Sequence, residues 1–162
     1  MKFTLLLVVA ALVLPALPAL AGPPMSAEVQ FGREHVGTEF FPPGEHDASF
    51  HAKDQLQPRT VVISAGGTVT FNVGPFHKIA IYGPGIGPDD IDVDLLEPPG
   101  TPFDFPPIIN DPEGRIARGD LVMPGPPVPF GWTFDEPGRY FVICEVLPHF
   151  VSADMYGWVI VK

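Results

Sequence analysis

The sequence predicts an all-β domain, a β-sandwich carrying one long excursion rich in proline and glycine. Three observations carry that expectation. Short runs of β-branched and aromatic residues alternate apolar with polar at a period of two, turn residues punctuate them, and no stretch has a convincing helical period. At 162 residues the chain suits one domain with a real core.

Taken in order, Met1-Lys2-Phe3-Thr4 and the apolar run Leu5 to Leu14 form a short positive start and a hydrophobic segment, and Ala19-Leu20-Ala21 supplies small residues for cleavage. Residues 1–21 are expected to be a secretory signal peptide rather than a membrane span. The mature chain, 22–162, would be one exported domain, periplasmic or extracellular, with 22–26 as a flexible new terminus. Thr60-Val-Val-Ile-Ser64 reads as a strand, Ala65-Gly66-Gly67 as a turn, and Thr68 to Val73 as a strand with Val69, Phe71 and Val73 on one face, together a hairpin-like unit. His77, Ile79 and Ile81 share a parity, as do Tyr140, Val142 and Cys144, so His77 and Cys144 each end an inward-facing stripe and can meet at one end of a sandwich. Glu136-Pro137-Gly138 turns the chain between Trp132-Thr-Phe134 and Tyr140, and Tyr156 to Val161 closes the sequence as a last strand. Trp132 and Tyr140 read as core aromatics.

From Pro84 to Pro129 the character changes, with 12 of the 22 prolines and little periodicity. This segment, 84–129, is expected to be an irregular insertion on the surface, with a short strand at Gly119 to Met123. Long loops inside a compact domain usually have a role.

The formal charge is −10, from 19 acidic and 9 basic side chains, and removal of residues 1–21 takes away Lys2 and no acid. Nucleic acid and anionic membranes are therefore disfavoured as partners. Six acids lie between Asp89 and Asp104. They read either as a solvated loop or as a negative field that steers a basic partner. Asp89-Asp-Ile-Asp-Val-Asp94 lacks the glycine and terminal glutamate of a calcium-binding EF-hand.

The chemistry concentrates in Cys144-Glu-Val-Leu-Pro-His149-Phe-Val-Ser-Ala-Asp-Met155. In an exported protein a lone cysteine cannot form an internal disulfide, so it is buried and inert, intermolecular, or a ligand. A thiolate, an imidazole and a thioether form a soft set suited to copper, and His77 offers a second imidazole. Each residue also has a plain reading: Cys144 as a small buried hydrophobe, His77 and His149 as hydrogen-bonded loop histidines, Met155 as core filler beside Trp158. His46 and His51, with Asp47 and Asp54, form a second possible cluster, but positions five apart on a strand face opposite ways. His35 has no partner at useful spacing.

Three segments together resemble the cupredoxins, the blue copper proteins: Gly66-Gly-Thr-Val-Thr-Phe71 leading to His77, Glu136-Pro-Gly-Arg-Tyr-Phe-Val-Ile-Cys144, and the Cys144, His149, Met155 loop. The resemblance spans roughly residues 58 to 162, apart from the proline-rich excursion. It implies a Greek-key β-sandwich, one type 1 copper ion held by His77, Cys144 and His149 in the equatorial plane and Met155 axially, and a carrier of single electrons between a redox donor and acceptor. Five residues separate His149 from Met155, a longer gap than most of the family has, so Asp154, a backbone carbonyl or no axial ligand are the alternatives. An asparagine often adjoins the first histidine in that family, whereas Phe76 and Lys78 adjoin His77, so support must come from elsewhere. Phe76, Pro148, Phe150 and Val151 would form an apolar docking face around His149, with electrons passing through the exposed edge of its ring.

A copper-binding protein for storage, delivery or resistance, using the same ligands without a redox circuit, is the alternative. An enzyme of the nitrite reductase or multicopper oxidase type is disfavoured, because the chain is short and has no His-Cys-His signature. The binuclear copper centre of cytochrome oxidase would need a second cysteine.

Overall fold

The alternation of Val69, Phe71 and Val73 produces what it predicts. In the computed structural model these three side chains line the buried face of a strand, Gly67–Val73, whose alternate residues Thr68, Thr70 and Asn72 are partly exposed. The structure describes residues 22–32, 55–98 and 106–162. The proposed signal peptide, His35, His46, Asp47, His51, Asp54 and Asp104 lie outside the described residues.

Nine strands are described. They are β1 (Ser26–Phe31), β2 (Leu56–Gln57), β3 (Thr60–Ile63), β4 (Gly67–Val73), β5 (Ile79–Tyr82), β6 (Arg115–Arg118), β7 (Val128–Phe134), β8 (Gly138–Cys144) and β9 (Tyr156–Val161). One sheet has the order β2-β1-β4-β7 and the other β3-β9-β8-β5-β6. Both are mixed, since β1 runs parallel to β4 and β3 parallel to β9. The main core lies between them, with Phe31, Phe71, Val142, Cys144 and Met155 among its buried members.

Two turns cross between the sheets, and the first departs from the sequence expectation. β3 and β4 are not a hairpin: they belong to opposite sheets, so Ala65-Gly66 carries the chain across the sandwich. Gly66 has φ +77°, a conformation other residues adopt only at a cost. The turn at Glu136-Pro137 likewise passes from β7 in one sheet to β8 in the other. Proximity in sequence gave the right turns, but the alternation of polarity cannot say which sheet a strand joins.

β5 and β8 are buried on both faces. Ile79, Ile81, Val142 and Cys144 face the main core, whereas Ala80, Tyr82, Phe141 and Ile143 belong to a second cluster with Ile91, Ile109 and Phe150. That second cluster covers the outer face of the sheet and draws Ile91 and Ile109 from the segment between 84 and 129. The same segment supplies β6, which pairs with β5. Its strand thus falls at Arg115–Arg118 and not at Gly119 to Met123. No helix among the described residues is long and apolar enough to cross a membrane.

Candidate metal centre

β5 and β8 are antiparallel neighbours, and their ladder ends with Ile79 opposite Cys144. Cys144 is therefore the last residue of an inward-facing stripe. His77 stands just before β5 on the same side. The Phe76 N–H donates to the Val122 carbonyl at 2.7 Å, and the Val122 N–H donates to the His77 carbonyl at 3.0 Å, fixing the backbone on either side of the ring. Phe76 itself has φ +62°. A bulky residue in that region is strained, and such strain gathers at functional sites.

After Cys144 the chain forms a single helical turn, α1 (Leu147–Val151), that the sequence pattern did not reveal. It is too short for hydrophobic periodicity to register, though Pro148 suits its first turn. The N–H groups of His149 and Phe150 both donate to the Val146 carbonyl, at 2.9 and 3.1 Å, folding His149 back toward Cys144.

The three side chains converge. His77 Nδ1 is 3.0 Å from His149 Nδ1, and Cys144 Sγ is 3.7 Å from the first and 3.6 Å from the second. A point equidistant from three atoms so spaced lies about 2 Å from each, the length of a bond from a transition metal to imidazole nitrogen and slightly short of one to thiolate. Among the described residues this is the one group of histidine, cysteine and carboxylate side chains able to share an ion. The donors also fit copper chemically, a soft thiolate with two imidazoles. Cys144 and His77 are fully buried and His149 is 5% exposed, so the ring edge expected to meet solvent is nearly covered.

The His77 ring packs against Gly32, just past the end of β1. A Cβ on Gly32 would lie 2.1 Å from His77 Cδ2 and Nε2, and the glycine has φ +79°. Phe31 meets the same ring edge-on, with centroids 6.2 Å apart. Nothing in the pattern around Phe31-Gly32 singles out this contact, which comes from the parallel pairing of β1 with β4.

Met155 is fully buried in the cluster that holds Cys144. Its backbone closes the loop: its N–H donates to the His149 carbonyl at 2.9 Å, and its carbonyl accepts from the Cys144 N–H at 3.0 Å. Asp154, with φ +49°, is exposed, and its carbonyl accepts from Arg59 Nη2 at 3.1 Å. Gln55 Nε2 donates to the Ala153 carbonyl, so the turn before Met155 is held from the β2–β3 region. Trp158 packs against the outer cluster and not against Met155's. Of the expected docking residues, Phe76 and Pro148 are half-buried and Val151 is exposed, but Phe150 is buried against Phe141 in the outer cluster.

Behind His77 and Cys144 lies an ion network. Lys78 Nζ contacts Glu97 Oε1 at 2.6 Å, Arg118 Nη2 contacts the same oxygen at 2.5 Å, Arg118 Nε contacts Glu145 Oε2 at 2.5 Å, and Arg115 Nη1 contacts Glu145 Oε1 at 2.9 Å. The Glu145 side chain is completely buried. Burial pushes its carboxyl above the usual carboxylate range, against the pull of Arg118, Lys78 and Arg115. Burial acts in the same sense on Glu97, but Lys78 and Arg118 outweigh it and hold that carboxyl below its usual value. Glu97 is thus not one of the solvated acids of its segment, unlike the exposed Asp89, Asp90, Asp92 and Asp94. The parity of Lys78 and Glu145, on the stripe of Ala80 and Ile143, was the available sign that both are covered.

No protein-family model and no curated protein sequence matches the chain. Among solved structures it is similar to dithionite-reduced auracyanin from Roseiflexus castenholzii, at 20% identity and TM-score 0.53, over 87% of this chain and 99% of that one. Auracyanin A of Chloroflexus aurantiacus, described as a "blue" copper protein, aligns at 18% identity and TM-score 0.46, over 86% of this chain and 99% of its own. Plastocyanin from Dryopteris crassirhizoma aligns at 23% identity and TM-score 0.43, over 84% and 100%. The likeness to the Roseiflexus protein shows the fold, a cupredoxin β-sandwich, in agreement with the sequence expectation.

Proposed function

We propose that the protein is an exported mononuclear copper protein that carries single electrons between redox partners, with His77, Cys144 and His149 as equatorial ligands of one type 1 copper ion and Met155 as the axial ligand. The observation that supports it best is the buried triangle of two Nδ1 atoms and one Sγ around a point about 2 Å from all three. Copper bound there would supply one-electron Cu(I)/Cu(II) chemistry.

The chain's part is to hold those donors still. His77 and Cys144 adjoin paired strand ends, and His149 is fixed by the turn of α1 and by the Met155 N–H. Donors already in place need little rearrangement when an electron enters or leaves. Four side-chain ligands would leave no position for a substrate, so we read the protein as a carrier and not an enzyme. Val151, Phe76 and Pro148, the apolar residues exposed or half-exposed near His149, would seat the partner. The excess of acidic side chains favours partners with basic docking surfaces. Residues 1–21 would direct export and be removed.

Copper(II) added to the purified mature chain is expected to give an intense visible sulfur-to-copper band that disappears on reduction. A colourless complex would overturn the assignment. Cys144→Ser should abolish the band altogether. Met155→Leu should keep the colour and shift the reduction potential, and an unchanged potential would remove Met155 as axial ligand. Fast reversible voltammetry separates a carrier from a storage protein, whose couple would be slow and irreversible.

A further inference from the structure

We propose that Lys78, Glu97, Arg118 and Glu145 form a brace that holds His77 and Cys144 at metal-binding separation, and that the segment from 84 to 129 exists in part to deliver it. The inference rests on the metal-site reading and gives a role to residues that reading does not use. Its members are positioning residues: none of the four lies in the triangle of donor atoms.

The geometry follows from strand parity. His77 and Cys144 lie on the inner side of adjacent strands, so the next residues, Lys78 and Glu145, lie on the outer side. Their backbones are joined, the Glu145 N–H donating to the Lys78 carbonyl at 2.7 Å, one step beyond the Ile79–Cys144 pair. Their side chains are linked through two residues of the excursion, Glu97 and Arg118. His77 and Cys144 therefore each have a chain neighbour anchored in one charge network.

The excursion also grips the loop between Cys144 and His149. The Ile109 N–H donates to the Glu145 carbonyl at 2.7 Å and the Leu147 N–H to the Pro107 carbonyl at 2.9 Å, with Ile108 bridged to Val146 between them. Arg118 Nη2 reaches the Ile109 carbonyl at 3.2 Å, and the Glu97 N–H donates to the Ile108 carbonyl at 2.8 Å. Glu97 and Arg118 thus bind the covering segment as well as the ligands' neighbours.

Stability alone is a poor reason for such a network. Desolvating several charges offsets most of what their attraction contributes, and apolar replacements often serve as well. What a network of directional contacts adds is a fixed relative position for the elements it joins. Outer-shell contacts of this kind commonly change metal affinity 10- to 100-fold when removed.

The test compares Arg118→Met, Arg118→Lys and Glu97→Gln with the wild-type chain, each checked for folding by circular dichroism. Glu97→Gln leaves the Arg118–Glu145 contact in place, so one informative variant remains if Arg118→Met fails to fold. In copper-loaded protein, Arg118→Met should shift the sulfur-to-copper band and speed copper release to a chelator about 10- to 100-fold, with Arg118→Lys in between. Band and release rate unchanged in the folded Arg118→Met and Glu97→Gln variants would overturn the brace. In metal-free protein, hydrogen exchange at the Glu145 and Leu147 amides should rise at least about tenfold in Arg118→Met while the Phe71 amide is unchanged. Unchanged exchange at Glu145 and Leu147 would also overturn it. If wild-type protein gives no copper band, the metal reading fails, and the exchange measurement still decides whether the brace exists.

Discussion

Cys144 and Glu145 are consecutive and equally buried, yet they face opposite sides of one sheet and meet different chemistry. On the inner side Cys144 joins His77, His149 and Met155 among apolar side chains. On the outer side Glu145 meets two arginines, and Lys78 joins them through Glu97. On the proposed reading the inner face holds a metal, and it can lose those side chains and remain a hydrophobic core. At these strand ends the outer side carries charges that compensate one another, so removing one strands the rest. The donor atoms and the charge network proposed to position them are thus placed on opposite sides of the same two strand ends.

The largest effect should come from the outer side. Glu145→Ala leaves Arg115 and Arg118 without a buried carboxylate and is expected to destabilise metal-free protein by about 3–5 kcal/mol. Cys144→Ala, which deletes one sulfur from apolar surroundings, should resemble loss of a methylene and cost about 1 kcal/mol. Urea denaturation of both variants measures the contrast. Equal losses would show that the two faces do not differ in the way described.

Gly32→Ala brings the two roles together, because its Cβ would fall 2.1 Å from the His77 ring. The backbone at φ +79° adds strain for any residue with a Cβ. Overpacking of this kind typically costs about 1–3 kcal/mol, less than Glu145→Ala. Here the ring must move, so copper affinity should fall along with the thermal midpoint. A variant that loses stability but binds copper as tightly as wild type would show that the ring does not depend on Gly32 for its position.

The inner face was the legible one, and the reason is physical. His77, Cys144, His149 and Met155 adjoin or follow strands whose alternation is visible locally, so parity alone puts His77 and Cys144 on one side. α1 was not legible, since one turn of five residues has no period to detect. Nor was the crossing of β3 to β4 between sheets, because alternation fixes a strand's buried face and not its neighbours. The outer network was hidden for a different reason. Glu97, Arg115 and Arg118 come from a segment dominated by proline and glycine, where no pattern links a residue to its partner. A trace was present all the same: Ile79-Ala-Ile-Tyr82 is apolar at every position, the mark of a strand covered on both faces. Something had to cover the outer side, and the excursion was one of the stretches without a strand assignment.

Acid offers the mildest test of the same contrast, because it addresses one carboxylate of the network without removing atoms. Lys78 and Arg118 hold Glu97 below its usual carboxylate pKa of 4.5 in the folded protein. A group depressed in this way contributes stability that is fully present above the unfolded value and is lost as pH falls through the folded one. Glu145 is shifted the other way, but it is common to wild type and Glu97→Gln, so to first order it drops out of their difference. The stability gap between the two proteins should therefore be widest near neutral pH and narrow below pH 4.5, by about 1 kcal/mol or less for a pair that retains some solvent contact. Denaturation series at several pH values measure that gap. A gap that stays constant through the acid range would mean that the Glu97 charge contributes nothing, leaving Arg118 and Glu145 alone to tie the excursion to the strand end.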